Sequence, residues 1–219
     1  MKQAIEFLHQ KADYLNVGPR KKQPHSSYIL VHQGLVLIRL GKLELPICKD
    51  QGFWLPSGCL SSVTVLQGSV VSTFDFSVRS SVVLPNCAGY VMPSMLIQGA
   101  TQQLKQTTRE SWDSPHGRLR RCVRDYLATV TPNDKYDAKT MLLAQEIASL
   151  ETPRNKKRQK DNNNLETTGF SEEQIALQLN IRDCVKKLKS GQKLTKIALQ
   201  ASMPEQELML LIERTAGAI

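Results

Sequence analysis

Between Ser27 and Val83 the chain is cut into short apolar pieces, and no other feature restricts its fold as much. Residues 28–31 (Tyr-Ile-Leu-Val) form one run, which Gly34 breaks. Residues 35–40 form the next; Gly41-Lys42 turns the chain into 43–47, and Asp50-Gln51-Gly52 leads into 53–55. Pro56-Ser57-Gly58 breaks it again before 59–66, and Gly68 precedes 70–78. Such pieces are too short for helices and are rich in β-branched and aromatic residues. Turn residues recur at roughly 8 to 12 positions, the pattern of an antiparallel barrel or sandwich with about seven strands. Upstream, Ile5, Leu8, Ala12 and Leu15 keep a helical spacing. Residues 1–15 therefore read as a short amphipathic helix or a frayed arm, stopped by Gly18-Pro19.

After Leu84-Pro85 the period becomes helical. One helix is expected over 92–104, opened by Pro93. Ser114-Pro115 supplies a cap and a helix-starting proline for a second, running to about residue 130. Its apolar stripe is Leu119, Cys122, Val123, Tyr126, Leu127 and Val130, opposite Arg118, Arg120, Arg121, Arg124 and Asp125. Asp137 caps a third, with Met141, Leu142, Ala144, Ile147, Ala148 and Leu150 as its apolar positions. Such faces must be buried somewhere. They pack either on the strands or on a second subunit, in which case Leu119, Val123, Tyr126 and Leu127 form the dimer interface.

Residues 153–164, PRNKKRQKDNNN, contain no large apolar side chain and cannot offset the entropy of ordering. They mark a flexible linker, taken as 153–170, between a domain at 1–152 and another at 171–219. Lys156, Lys157 and Arg158 in it are either solvated or in contact with phosphate. Ser171-x-x-Gln174 is a capping box. Ile175, Leu179, Ile181, Val185 and Leu188 then define a helix that Ser190-Gly191 ends. Leu194, Ile197, Ala198 and Ala201 define a shorter one; Ser202-Met203-Pro204 turns it into a last helix with Leu208, Leu211 and Ile212 inside and Gly217 at its end. Two helices joined by so short a turn fit a helix-turn-helix, and equally a generic three-helix bundle.

The sequence Leu194-x-x-Ile197-Ala198-x-x-Ala201-Ser202-Met203, then Leu208-x-x-Leu211-Ile212, then Ala216-Gly217, resembles the first helix-turn-helix of AraC-type transcription regulators. Gly52-Phe-Trp-Leu-Pro56-Ser-Gly58 is similar to a segment of that family's cupin-like regulatory barrel. The resemblance implies an α+β protein: an N-terminal antiparallel cupin-like β-barrel followed by amphipathic helices, linked to a small all-α helix-turn-helix domain. It implies DNA contacts from Lys186, Lys187, Lys193, Thr195, Lys196, Gln206 and Arg214, with Lys156, Lys157 and Arg158 of the linker. It places Tyr28, Leu37, Arg39 and Trp54 in the barrel interior or its mouth as an effector pocket. The expected partners are double-stranded DNA, a second copy of the chain, and a small-molecule or protein effector, with no membrane. The sequence departs from the family in three respects. It carries one helix-turn-helix where the family has two in tandem. Its last helix sets Glu205, Glu207 and Glu213 against Arg214 alone, and the histidine common after the barrel motif is Ser61.

Composition agrees with a polyanionic partner without requiring one. The 219 residues carry 29 Lys and Arg against 20 Asp and Glu, a formal charge of +9. Five scattered cysteines form no CxxC pair, and His9, His25, His32 and His116 are dispersed, so no disulfide framework and no metal site is expected. P-loop, GxGxxG, GxSxG and HExxH signatures are missing, so no cofactor and no enzymatic activity is expected. No apolar run reaches about 18 residues and the N-terminus lacks a signal-peptide pattern; the cytoplasm is the expected location. The acidic last helix leaves an alternative: a shortened regulator that modulates a full-length relative, a polymerase or a chaperone and reads little DNA itself.

Overall fold

The computed structural model describes residues 4–106, 111–150 and 163–218. It is α+β, with two antiparallel sheets. The first is ordered β1 (Ile5–Lys11), β9 (Val70–Phe76), β4 (Ser26–Gln33), β7 (Gly52–Leu55) and β10 (Gly89–Tyr90). The second is ordered β2 (Asn16–Val17), β8 (Leu60–Val65), β5 (Val36–Leu40) and β6 (Leu43–Ile47), with β3 (Lys21–Lys22) also on β8. The stretch expected to hold about seven strands holds six, β4 to β9.

Side-chain alternation explains why the strands read as unbroken apolar runs. In β4, Ile29 and Val31 point between the sheets while Tyr28 and Leu30 point out of them. In β5, Val36 and Ile38 point between the sheets and Leu37 points out. Both faces of each sheet are covered, so both sets must be apolar. The space between the sheets is filled by Ile29, Val36, Ile38, Leu45, Ile47, Phe53 and Leu55. Gly34 joins the sheets at a φ of +86°. A Cβ there would strike Ser69, whose hydroxyl accepts from the Leu35 N–H and donates to the Leu35 carbonyl (3.1 Å each).

Residues 5–11 are a strand, not the expected helix or arm. They pair with β9 over their whole length, from Ile5–Phe76 to Lys11–Val70. Ile5 and Phe7, alternate residues, face the core, and Leu8 of the helical template is 51% exposed.

Two of the first three helices begin at the expected caps, and the other begins at Ser94, two residues inside the expected 92–104. α1 (Met95–Leu104) starts where Ser94 Oγ accepts from the Ile97 N–H. α2 (Pro115–Ala128) starts where Ser114 Oγ accepts from the Gly117 N–H (3.0 Å). α3 (Ala138–Leu150) starts where Asp137 accepts from the Thr140 N–H (2.7 Å). α1 and α2 cover the first sheet, with Ile97, Leu104, Val123 and Leu127 packed on Tyr28, Trp54, Phe74 and Phe76.

α3 covers the second sheet together with α4 (Glu172–Lys189), α5 (Leu194–Ala201) and α6 (Glu205–Ala216). One core joins them: Leu15, Val17, Leu35, Leu37 and Leu66 from the strand side meet Leu143 and Ile147 of α3, Ile175 and Leu179 of α4, Ile197 of α5 and Ile212 of α6. The expected linker at 153–170 needs correcting at its far end. Residues 163–168 form a 3-10 turn, Thr168 is fully buried, and Leu165 and Phe170 pack on the shared core. Lys156, Lys157 and Arg158 lie outside the described residues.

Candidate functional site

α4 is stabilised at both ends. Ser171 accepts from the Gln174 N–H (3.2 Å) while the Gln174 side chain accepts from the Ser171 N–H (2.9 Å), completing the capping box. Glu172 and Glu173 lie at its positive end and Lys186, Lys187 and Lys189 at its negative end, as the helix dipole favours. α4 also carries two buried polar side chains, Gln178 and Arg182, toward the second sheet. Arg182, 3% exposed, grips Glu44 of β6 with two parallel bonds of 2.9 Å; Glu44 is 20% exposed. Gln178 Oε1 accepts from the Gln67 N–H (2.7 Å). At the far end of α6, the Leu15 N–H donates to the Thr215 carbonyl (2.6 Å) and Gln67 Nε2 donates to the Arg214 carbonyl (3.2 Å). The last three helices are therefore docked on the strands through polar ties as well as apolar contacts.

The turn between α5 and α6 rests on Ser202, in the left-handed region at φ 53°, ψ 42°. The N–H groups of Ser202 and Met203 donate back to the carbonyls of Leu199 and Ala198, and Pro204 starts the next helix. This turn opens a concavity of about 480 Å³ in which Lys193, Thr195 and Lys196 of the α5 end face Pro204 and Glu205 of the α6 start. Three of the expected DNA-contacting residues are thus brought to one mouth. Gln206 is exposed on the first turn of α6 beside it. Arg214 is exposed on the last turn, at the end tied to Gln67. Two more of the expected DNA contacts, Lys187 and Lys186, lie away from this mouth. Lys187 is held by Asp183 (2.8 Å) and Gln200 (3.0 Å), pinning α4 to α5. Lys186 faces the strand side.

There Lys186 and Lys189 of α4 meet Arg20 and Arg39 of the strand side across a cleft of about 610 Å³. Ser62 and Ser190 add hydroxyls and Val17 and Pro19 add apolar wall; among the described residues no carboxylate lines it. Four cations sharing one cleft favour an anion at their centre.

The expected effector pocket does not come together. Tyr28 and Trp54 lie on the outer face of the first sheet, buried under α1 and α2, with the Tyr28 hydroxyl donating to Val91 (3.0 Å) and Trp54 Nε1 to Pro85 (2.9 Å). Leu37 lies in the core shared with α4. Arg39 lies at the rim of the cationic cleft. Period-two alternation puts these residues on opposite outer faces, with the packed interior between them. The expected dimer interface is likewise redirected within the chain. Val123 and Leu127 are buried against the first sheet and Leu119 and Tyr126 pack on the same cluster, because that sheet face needs a cover.

A polar cluster on the outer face of the first sheet joins His9 and His32 through the buried Ser72 hydroxyl (2.9 and 2.8 Å). Burial, then the Lys105 charge, then His9, push His32 down to about 4, against a smaller upward pull from Asp50. Burial and Lys105 lower His9 as well. Both imidazoles are neutral near pH 7, and a lysine beside them opposes a cation. Among the described residues, no three His, Cys, Asp or Glu side chains gather to hold a metal, and no helix is long and apolar enough to cross a membrane.

The cleft had no local sequence signal, since Arg20, Arg39 and the α4 lysines come from three distant segments. The Arg182–Glu44 tie had a faint one: an arginine directly beside the apolar stripe of α4 and a glutamate inside an apolar strand.

No protein-family model and no curated protein matches the chain. Several solved structures resemble it. ToxT from Vibrio cholerae is 11% identical, with 99% of this chain and 96% of that one covered, at a TM-score of 0.36. The AraC-like transcriptional activator CuxR is 12% identical, with 97% and 79% covered, at 0.41. A cupin-2 domain protein from Shewanella frigidimarina is 7% identical, over 33% of this chain and 68% of that one, at 0.27. ToxT has also been solved with an unsaturated fatty acid bound. Likenesses at this identity and TM-score say nothing about chemistry.

Proposed function

We propose that this chain is an AraC-type transcription regulator. The two sheets are its cupin-like regulatory domain, and α5 and α6 are its helix-turn-helix. Its role is binding, not catalysis. The observation that carries this reading is the mouth between α5 and α6: Lys193, Thr195 and Lys196 stand around the start of α6, open to solvent, on a unit whose other side is docked on the strands. In a helix-turn-helix the second helix presents its first turns to base edges while neighbouring cations hold phosphate. The motifs at 194–217 and 52–58 support the same assignment. The cationic cleft supports an effector with an anionic head and an apolar body. Bound there, it would touch both the strands and α4, and so bias how firmly the DNA-contacting unit is held.

The test is binding of duplex DNA from the chain's own promoter region, followed by fluorescence anisotropy across a salt series. Affinity should fall steeply with salt, and Lys193→Ala with Lys196→Ala should reduce the log–log slope by about 2. No binding of any duplex at low salt sinks the proposal. A second reading, a protein-binding modulator, is favoured by the 81% exposure of Leu199 and 60% of Leu210 beside three glutamates. A stable hetero-complex formed by a chain that retains no DNA would establish it instead.

A further inference from the structure

We infer that α6 reads two A·T pairs about two base steps apart, Gln206 taking an adenine and Leu210 the methyl group of a thymine. The inference rests on the assignment of α5 and α6 as the DNA-contacting pair and adds what they select.

The geometry comes from the helix itself. α6 buries Leu208, Ile212 and Thr215 against its neighbours. At about 100° per residue the line opposite them runs through Gln206, Leu210 and Glu213. All three are exposed, Leu210 by 60%. Gln206 and Leu210 are one turn apart, about 6 Å along the axis, or roughly two base steps of 3.4 Å.

The chemistry of that line is selective. Arginine or lysine paired to O6 and N7 is the usual reader of guanine, and neither occurs in the first two turns of α6. Arg214, the cation of this helix, is on its last turn, where its carbonyl is tied to Gln67. A glutamine amide instead donates to N7 and accepts from N6 of adenine, and an exposed aliphatic side chain matches the thymine methyl. Glu213, further along, offers a carboxylate, which accepts from a cytosine amino group and repels phosphate. Glu205 and Glu207 flank Gln206 and repel phosphate too, so the helix cannot hold DNA by charge. Charge complementarity comes from Lys193 and Lys196 across the mouth. Phosphate contact and base reading are thus assigned to different helices, and the reading helix carries no guanine ligand in reach.

The experiment is selection of bound duplexes from a randomised double-stranded DNA pool by the full chain at low salt. The enriched site should contain adenine and thymine at two positions about two steps apart. Replacing that thymine by uracil removes only the methyl group; it should weaken the wild-type protein and leave Leu210→Ala unaffected. Gln206→Arg should move the adenine preference to guanine, a swing of roughly 5- to 150-fold. Both side chains are exposed, so these variants should melt with the wild type. An enriched site of G·C pairs, or a uracil substitution felt equally by both proteins, overturns the inference while leaving DNA binding intact. Failure to enrich any duplex overturns the DNA-binding assignment itself, and this inference with it.

Discussion

The two outer faces of the sheets are covered in different ways. On the first, α1 and α2 lay Ile97, Leu104, Val123 and Leu127 on Tyr28, Trp54, Phe74 and Phe76. On the second, α3 to α6 share an apolar core with the strands, but the Arg182–Glu44 pair and the bond from the Gln67 N–H to Gln178 are set into it and four cations line its edge. An apolar cover is roughly additive in buried area and offers no charge for an ionic ligand to compete for. A cover stitched by buried charge answers to whatever competes for that charge. The first face is built as permanent, the second as conditional.

The largest effect should come from breaking the permanent side. Trp54→Ala removes a fully buried indole and should cost about 3–5 kcal/mol, read as a lower denaturant midpoint for the whole chain. Glu44→Ala breaks the conditional side by removing the carboxylate that the buried Arg182 grips with two bonds. The loss should approach about 3 kcal/mol, softened because Glu44 is 20% exposed. Hydrogen exchange should show α4 to α6 losing protection while β4 and β7 keep theirs. Glu44→Leu with Arg182→Met should recover most of the stability, because the charges leave together. If Glu44→Ala instead loosens both faces equally, the contrast between them is wrong.

Acid offers a narrower probe of the first face. His32 is held near 4 in the fold against 6.5 when unfolded, so the unfolded chain takes up a proton first as pH falls. Stability should be intact above about pH 6.5, decline down to about pH 4 and then level off for this group. His32→Gln should flatten that part of a melting-temperature profile; an unchanged profile would remove His32 as the cause. The smallest effect belongs to the turn in the conditional unit. Ser202→Gly relieves a left-handed residue at φ 53° and should raise stability by about 0.5–1 kcal/mol in thermal unfolding.

What could be read from the chain was what is decided locally. Ser114, Asp137 and Ser171 cap the helices because a side chain and an N–H two or three residues on are all that is needed. Strand runs were legible for the same reason. Residues 5–11 were not, since Ile5 and Leu8 satisfy a helix as well as Ile5 and Phe7 satisfy a strand; the free edge of β9 decides between them. The stripe on α2 was found, but its partner was not, because the need of a distant sheet for cover is not written in the helix. Of the candidate site, Lys193, Thr195 and Lys196 are close in sequence and appear together, while the cationic cleft is assembled from segments far apart.

The bond from the Leu15 N–H to the Thr215 carbonyl also sets an order of events. It joins residues from near the two ends of the described chain, so closing it carries one of the largest loop entropies available to this fold. During synthesis the sheets can assemble while α6 has yet to appear. The contact between the first strands and the last helix is then among the last to be made, and the helices it holds are among the first to be released.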